Sequence, residues 1–506
     1  MDSNIGNPRA PRPIATVLDT ALRSRPDATA LIAASGAWSY AELDEQAGRA
    51  AGALWSLGVR PGDRVAACLP NDLGIVAAFH GVQRIGAIWA GIGEANAPAE
   101  QQYLHDLCDP AVVLAGPHWR AASPQAVHPD RWAEKFARAE PAPDITQDVD
   151  AAAGIAFTSG TSGRPKAVVH SQRNLMLPGA VVLATRGWGP DLRRGDSFPL
   201  TILNMMVLST LTTAQAGGCA VIMDRRDVAG VAEWIAEHRV TVWNGAPAQL
   251  YDLARRPGTD LGSLREIWSG GSDTPDAVRT TFADAHHGLV PRTTYGLTEA
   301  PTVVAIDPPG TAWMPGSSGR VLPHLDVAAY DDGGHRLPPG SLGELCLAAA
   351  SEGPWAGLWR PPLGYWSDGE VRPPPPGPFA TGDIGTVDRA GQLAVLDRKK
   401  MVIIRGGANV YPLEVERVLA IHPDVTRVAI CPVPDERLGQ KVAAVVESSC
   451  ATINFDELAA LCRRELAGYK VPEIWARVDV LPMNAMGKVE RTGLTALAVT
   501  ALRQQR

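Results

Sequence analysis

Residues 158–166 read TSGTSGRPK, and this run limits the architecture more than any other segment of the chain. An apolar run at 154–157 precedes it and another at 167–169 follows, so the loop is expected to join two strands. Gly160 and Gly163 let the backbone turn and expose successive N–H groups, which form an anion-binding nest. Thr158, Ser159, Thr161 and Ser162 add hydroxyl donors, and Lys166, with Arg164 beside it, adds positive charge. The Gly-Lys-Ser/Thr ending of a Walker A loop is missing and no helix follows directly. A polar flexible hairpin would also fit a generic Ser/Gly loop. The hydroxyls, glycines and Pro-Lys together favour a phosphate site.

The chain has 506 residues, enough for two or more domains. Its net charge is -7, with no dense Lys/Arg stripe. That argues against a nucleic-acid partner, which needs clustered cations, and leaves nucleotides open. Seven scattered cysteines without a CxxC pair argue against a zinc site or a disulfide framework and suit a reducing, cytoplasmic setting. The first residues lack an apolar signal core, so secretion is not expected, and the C-terminal residues carry no prenylation signal. Residues 201–223 carry no charge and are long enough to span a membrane. Asn204, the threonines, Gln215 and Gly217-Gly218 interrupt them, so a buried helix followed by a buried strand is expected instead, and no membrane partner.

Helical and strand patterns alternate along the chain. Residues 41–57 and 72–85 read as helices, with a strand at 64–69 between them; 231–238 and 247–254 read as helices, with strands at 240–243 and 264–268. This alternation predicts an α/β fold with helices packed on mixed sheets. Short strands and turns over 328–347 predict a small β-rich subdomain, and the prolines at 373–376 a stiff surface loop. After Asp397 the pattern restarts. Pro412, Glu414 and the apolar face of Val415, Val418 and Leu419 suit a helix start. The expected organisation is a large domain over 1–396, a hinge at 397–400 and a small mobile α/β domain over 401–506.

Further motifs follow the loop in order. Residues 294–299 read TYGLTE: a ring that can stack on a base, a glycine for close approach, and Thr and Glu to hold phosphate or metal. Residues 269–274 read SGGSDT, a Gly-rich turn after a strand. Thr381-Gly382-Asp383 puts a carboxylate where it can accept from both ribose hydroxyls. Asp397-Arg398 precedes the hinge, and residues 403–412 (IIRGGANVYP) and 481–491 (LPMNAMGKVER) complete the set. Jointly, over residues 17–491, the sequence resembles the adenylate-forming superfamily of acyl-CoA ligases, luciferases and peptide-synthetase adenylation domains.

The resemblance implies the following roles. Tyr295 stacks on adenine beside Gly296, Gly271 and Ser272; Thr298 contacts the α-phosphate; Glu299 helps hold Mg²⁺; Lys166 and the loop hold phosphate. Asp383 binds ribose, Arg398 touches ribose or phosphate, and Lys400 is the hinge residue. Lys488 reaches the α-phosphate and the acyl carboxylate. Gly406 and Gly407 line a pantetheine channel. Asn204, Met205, Trp243, Gly245, Thr293 and Ala300 border the acyl pocket. The implied substrates are ATP, giving AMP, a carboxylic acid and coenzyme A. Ala167, Ile202 and Met401 stand where the family commonly has glycine, a gating histidine and an acid. Without that histidine, and with Trp243 and Met205-Met206 nearby, the expected acid is bulky and apolar. Three alternatives remain open: an enzyme of one half-reaction, transfer to a separate carrier protein, and a non-catalytic nucleotide- or acyl-binding protein.

Overall fold

The computed structural model describes residues 11–158, 165–256, 258–270, 274, 276–450, 452–483, 489–491 and 493–504, and builds them on four sheets. The first sheet runs Ala300–Ile306, Arg292–Leu297, Glu266–Gly270, Val242–Asn244, Arg193–Asp196, Cys219–Ile222, Thr29–Ala33, Gly36–Ser39. Its inner strands are parallel and both edge strands antiparallel. The second sheet has parallel strands Ala126–Val127, Val112–Ala115, Arg64–Cys68, Ile88–Gly91 and Ala152–Thr158. Lys166–Ser171, Gly364–Ser367 and Glu370–Arg372 extend it in antiparallel fashion. The mixed sheets and packed helices are those of the expected α/β class.

The third sheet, Gly319–Arg320, Gln392–Arg398, Phe379–Val387, Gly343–Ala349 and Leu325–Tyr330, is antiparallel throughout. It contains the segment read as β-rich. The fourth lies beyond the third in sequence: Ala408–Val410, Ile403–Arg405, Gly439–Glu447 and Arg427–Asp435, with Ile474–Val478 parallel to Gly439–Glu447. Its two faces carry separate apolar clusters, one around Val415, Leu419 and Leu458 and one around Ile474, Leu481 and Leu494.

Local chemistry explains the main helices. Ser39 caps helix Tyr40–Ser56: its Oγ accepts from Glu42 N at 3.2 Å, and Glu42 Oε2 accepts from Ser39 N at 2.7 Å. This reciprocal pair satisfies two otherwise orphaned donors. The helix buries Leu43, Ala47, Ala50 and Leu54, a stripe at helical spacing. It packs on helix Leu73–Arg84 so closely that a Cβ on Gly81 would lie 2.6 Å from that of Ala50. Pro412–Leu419 and Pro247–Ala254 have the predicted bounds, each with Pro in the first turn. The uncharged stretch forms the short helices Leu203–Met205 and Thr212–Ala216 around a π-helical turn, Met206–Leu211, and then strand Cys219–Ile222. The hydroxyls of Thr210, Thr212 and Thr213 bond carbonyls within the helical segment, Thr210 Oγ1 to Met206 O at 2.8 Å, so burial leaves these three satisfied. Among the described residues no helix is long and apolar enough to cross a membrane.

The segment before these helices is pinned to the second sheet. A Cβ on Gly91 would meet Thr201 O at 1.8 Å. Gly91→Ala is expected to lower the unfolding free energy by about 1–3 kcal/mol through forced overpacking, read as a lower urea midpoint. An unchanged midpoint would show that the Thr201 segment yields freely.

Candidate active site

Strand Arg292–Leu297, one in from the edge of the first sheet, carries Tyr295, and strand Phe379–Val387 of the third sheet supplies Asp383. Tyr295 Oη donates to Asp383 Oδ2 at 2.5 Å, and Arg398 Nε pairs with Asp383 Oδ1 at 2.8 Å. Asp383 is buried, and its strand register sets it opposite Arg398. Burial, with the Asp383 charge adding to it, pushes the Tyr295 phenol well above its ordinary range, so the phenol stays a donor. Three residues separated in sequence thus form one hydrogen-bonded cluster.

The strand–loop–strand reading holds. Ala152–Thr158 and Lys166–Ser171 pair antiparallel, with Thr158 opposite Lys166. Ser159, Gly160, Thr161, Ser162 and Gly163, like Gly271, Ser272 and Lys488, lie outside the described residues. Ala167 is buried in its strand between Phe157 and Trp366, so its methyl has a place in the core.

Glu299 lies in the turn between Arg292–Leu297 and Ala300–Ile306. Burial pushes its carboxyl above the usual range. Tyr365 Oη lies 3.5 Å from Glu299 Oε1, and Lys166 Nζ sits 5.3 Å from the centre of the Tyr365 ring. Tyr365, which the sequence reading passed over, therefore stands between the loop lysine and the motif carboxylate. Its GYW context follows a loop and carried no distinguishing pattern. His170 was also missed. Its Nε2 donates to Thr298 O at 2.8 Å, which ties the strand bearing Lys166 to the TYGLTE turn. A carbonyl only accepts, so this ring carries its proton on Nε2. Burial lowers the imidazole to about 4 and keeps it neutral.

Cations converge on the same cleft. Burial, then the charges of Arg398 and Lys166, hold the Lys400 ammonium below the ordinary lysine range. The hinge candidate thus lies within electrostatic reach of the phosphate-loop lysine. Beside it, Asp397 is buried and bonded to the N–H groups of Arg398 at 2.7 Å and Leu413 at 2.8 Å. It therefore caps the start of helix Pro412–Leu419. Such a mixed group of cations and half-buried carboxylates suits a polyanion with a bound cation.

Other assignments changed. Trp243 is fully buried among Met223, Val231, Ile235, Leu250 and Phe282, so its ring is core rather than pocket wall. Gly245 serves the same packing: a Cβ there would lie 2.6 Å from the Trp243 ring. Period-two alternation puts both residues on the face that helices cover. Gly406 and Gly407 have φ of 57° and 85° and form the two-residue turn between Ile403–Arg405 and Ala408–Val410. A primed hairpin turn demands such values, so its geometry alone accounts for both glycines. Met205 and Ala300 do share one apolar cluster, with Leu208, Trp268, Leu297 and Val303, and Asn204 Nδ2 reaches Leu297 O at 3.5 Å. Thr293 pairs with Ser269 in the neighbouring strand, and Gly296 is exposed.

The buried Glu299 gives a pH prediction. Its folded-state pKa is raised, so ionised Glu299 costs stability above that pKa, and the cost vanishes below the unfolded value. Glu299→Gln should melt at a higher temperature than the parent at about pH 8, with the difference closing toward about pH 4. A lower melting temperature at both pH values would refute this.

Comparison with known proteins agrees with the geometry. A family model described as AMP-binding enzyme matches residues 18–353, and one described as AMP-binding enzyme C-terminal domain matches residues 414–488. A feruloyl-CoA synthase from an Amycolatopsis species is 33% identical over 480 residues, covering 92% of this chain and 95% of that protein. A long-chain-fatty-acid–CoA ligase from Mycobacterium tuberculosis is 31% identical over 486 residues, covering 90% and 92%. The crystal structure of ATP-bound MatB from Rhodopseudomonas palustris superposes with a TM-score of 0.85 at 26% identity, over 97% of this chain and 100% of that one. With its motifs, its fold and both halves of its length matched, the chain belongs to the AMP-binding enzyme family, within the adenylate-forming superfamily.

Proposed function

We propose that this protein is an AMP-forming acyl-CoA ligase, which couples a carboxylic acid to ATP as an acyl-adenylate and then transfers the acyl group to coenzyme A. The observation that carries the proposal is the convergence in one cleft of the Tyr295–Asp383–Arg398 cluster with Lys166, Lys400 and Glu299. The cluster suits a nucleoside and the cations suit its phosphates. The relatives named above, ligases of feruloyl and long-chain fatty acyl groups, support the choice of acceptor.

In the first step a carboxylate oxygen forms a bond to the α-phosphorus, and the bond to the bridging oxygen of pyrophosphate breaks. Tyr295 covers the adenine, Asp383 accepts from the ribose hydroxyls, and Arg398 is aligned by its pairing with Asp383. Thr298 and Lys488 bond the α-phosphate, and Lys488 also brings in the acid. Lys166 and the 158–166 loop hold the charge that builds on pyrophosphate. Glu299 fits a Mg²⁺ site: a single carboxylate beside substrate phosphates is the usual setting, and a cation there relieves the cost of its burial. The ion would neutralise phosphate charge. No protein nucleophile is needed. In the second step the coenzyme A sulfur bonds to the acyl carbon and AMP leaves. Residues 401–506 turn about the hinge at 397–400 between the steps, so that Lys488 withdraws. Such closures run on μs–ms timescales.

Pyrophosphate release from Mg-ATP over a panel of carboxylic acids, without coenzyme A, tests the first step. Acid-dependent release is expected, falling roughly 10²–10³-fold in Lys488→Ala, the usual weight of one preorganised donor at developing charge. Adding coenzyme A should yield thioester and AMP. Release that Lys488→Ala leaves intact would remove that residue from the mechanism. Adenylate without thioester would replace coenzyme A by another acceptor.

A further inference from the structure

Arg194 is fully buried, and none of its three guanidinium nitrogens has a hydrogen-bond partner among the described residues. Its contact is the Trp268 ring, 4.5 Å from the guanidinium carbon. An unpaired buried donor on a charged group is costly, so a fold keeps one only where something offsets it. The surroundings are polar and organised. Asp196, on the same strand and face, accepts from Ser209 Oγ at 2.7 Å, Asn244 Nδ2 at 2.9 Å and Phe198 N at 3.0 Å. Glu266 accepts from Arg186 Nε at 3.0 Å and Trp268 Nε1 at 2.8 Å. Two arginines and two carboxylates balance in charge. Each of these bonds to the carboxylates comes from another group, and Arg194 donates to none of them.

The position of this network relates it to the acid. Ser209 and Leu208 belong to the helical segment that begins at Leu203 and carries Asn204 in its first turn, and Asn244 immediately precedes Gly245. Asp196 therefore ties together the helix and the strand that flank the apolar cluster of Met205, Leu208, Trp268, Leu297 and Ala300. Asn204, at the other end, touches Leu297 O beside Thr298 and keeps a buried, unpartnered Oδ1 among the described residues. From Asn204 to Ser209 the helix rises about 7 Å. An acid whose carboxylate lies at Thr298 and whose body follows this helix points toward Asp196, with Arg194 two residues further down the same strand and face.

Resting on the ligase reading, we infer that the network is the floor of the acyl pocket, and that the acid has an apolar body carrying a neutral carbonyl acceptor at the end remote from its carboxylate, bonded by Arg194. A neutral acceptor fits because the four charges already cancel, and a second carboxylate would add an unbalanced buried charge. A site built to bond a substrate group rejects the analogue lacking it, since its own donors stay unpaired.

The test uses the full chain and two non-hydrolysable acyl-sulfamoyl adenosines with the same saturated ring body. One has a ketone at the remote end and the other a methylene. Calorimetry should show the ketone bound about 10–100-fold more tightly, the effect of satisfying one buried donor. In Arg194→Met/Asp196→Asn, which removes both charges and leaves none unpaired, the difference should collapse. Equal or tighter binding of the methylene analogue by the parent overturns the inference alone and assigns the three nitrogens to internal water. A preference that survives in the double variant overturns the role of Arg194. If neither analogue nor unacylated sulfamoyl adenosine binds, the ligase reading falls and this inference with it.

Discussion

The buried carboxylate of Asp383 is the junction on which the cleft depends. It takes a hydrogen bond from Tyr295 on the first sheet and an ion pair from Arg398, the last residue of a strand in the third sheet. A carboxylate this deeply placed is tolerated only when its oxygens are used, and here both are. Without the charge, Tyr295 and Arg398 would each lose the partner that orients it. The chain then runs directly from Arg398 through the 399–401 turn into the fourth sheet, so the same ion pair fixes where the C-terminal unit departs. Asp397, one residue earlier, points the other way and caps helix Pro412–Leu419. Two neighbouring residues, Arg398 held by Asp383 and Asp397 holding the helix start, thus anchor the two sides of the candidate hinge.

Around that junction the charges are uneven on purpose. The whole chain is net negative, yet burial first, and then the charges of Arg398 and Lys166, lower the proton affinity of Lys400. Glu299 is pushed the other way by burial. On the proposed reading, a phosphate chain with its cation would relieve each of these costs, and such relief is binding energy available at the reacting centre. Neutral His170 adds rigidity without adding charge. It fastens the Thr298 backbone to the strand that carries Lys166, so the TYGLTE turn and that lysine are held together.

Much of this was legible in the sequence where short-range chemistry dictates structure. A proline in the first turn followed by an apolar face gave Pro247–Ala254 and Pro412–Leu419 with their observed bounds. Two apolar runs about a Ser/Gly loop gave the antiparallel pair carrying Lys166. The motif residues Tyr295, Asp383 and Arg398 meet in space. What failed depends on which face of a strand turns inward, which alternation alone leaves undetermined. Trp243 and Asn244 are neighbours in sequence and point to opposite sides, the ring into the helix-covered core and the amide toward Asp196. Tyr365 and His170 were invisible for another reason: each acts through a partner, Glu299 or Thr298, more than sixty residues away. Arg193-Arg194-Gly195-Asp196 carries no apolar side chain, and long-range pairing on both sides makes it a buried central strand.

That strand also changes what the acyl pocket can select. Methionines and a tryptophan suggested an apolar acid, and the cluster of Met205, Leu208 and Leu297 keeps that character along most of its length. A purely apolar end would be simpler to build from small and branched apolar residues, as the neighbouring strand Cys219–Ile222 (CAVI) is. Here the same sheet instead buries Arg194, Asp196 and Glu266, with Arg186 from the covering helix. Hydrophobic replacements of such groups are often neutral or stabilising in other folds. The cost of burying four charges on one face is therefore unexplained by packing, and discrimination between acids of similar shape is the physical return that such a floor provides.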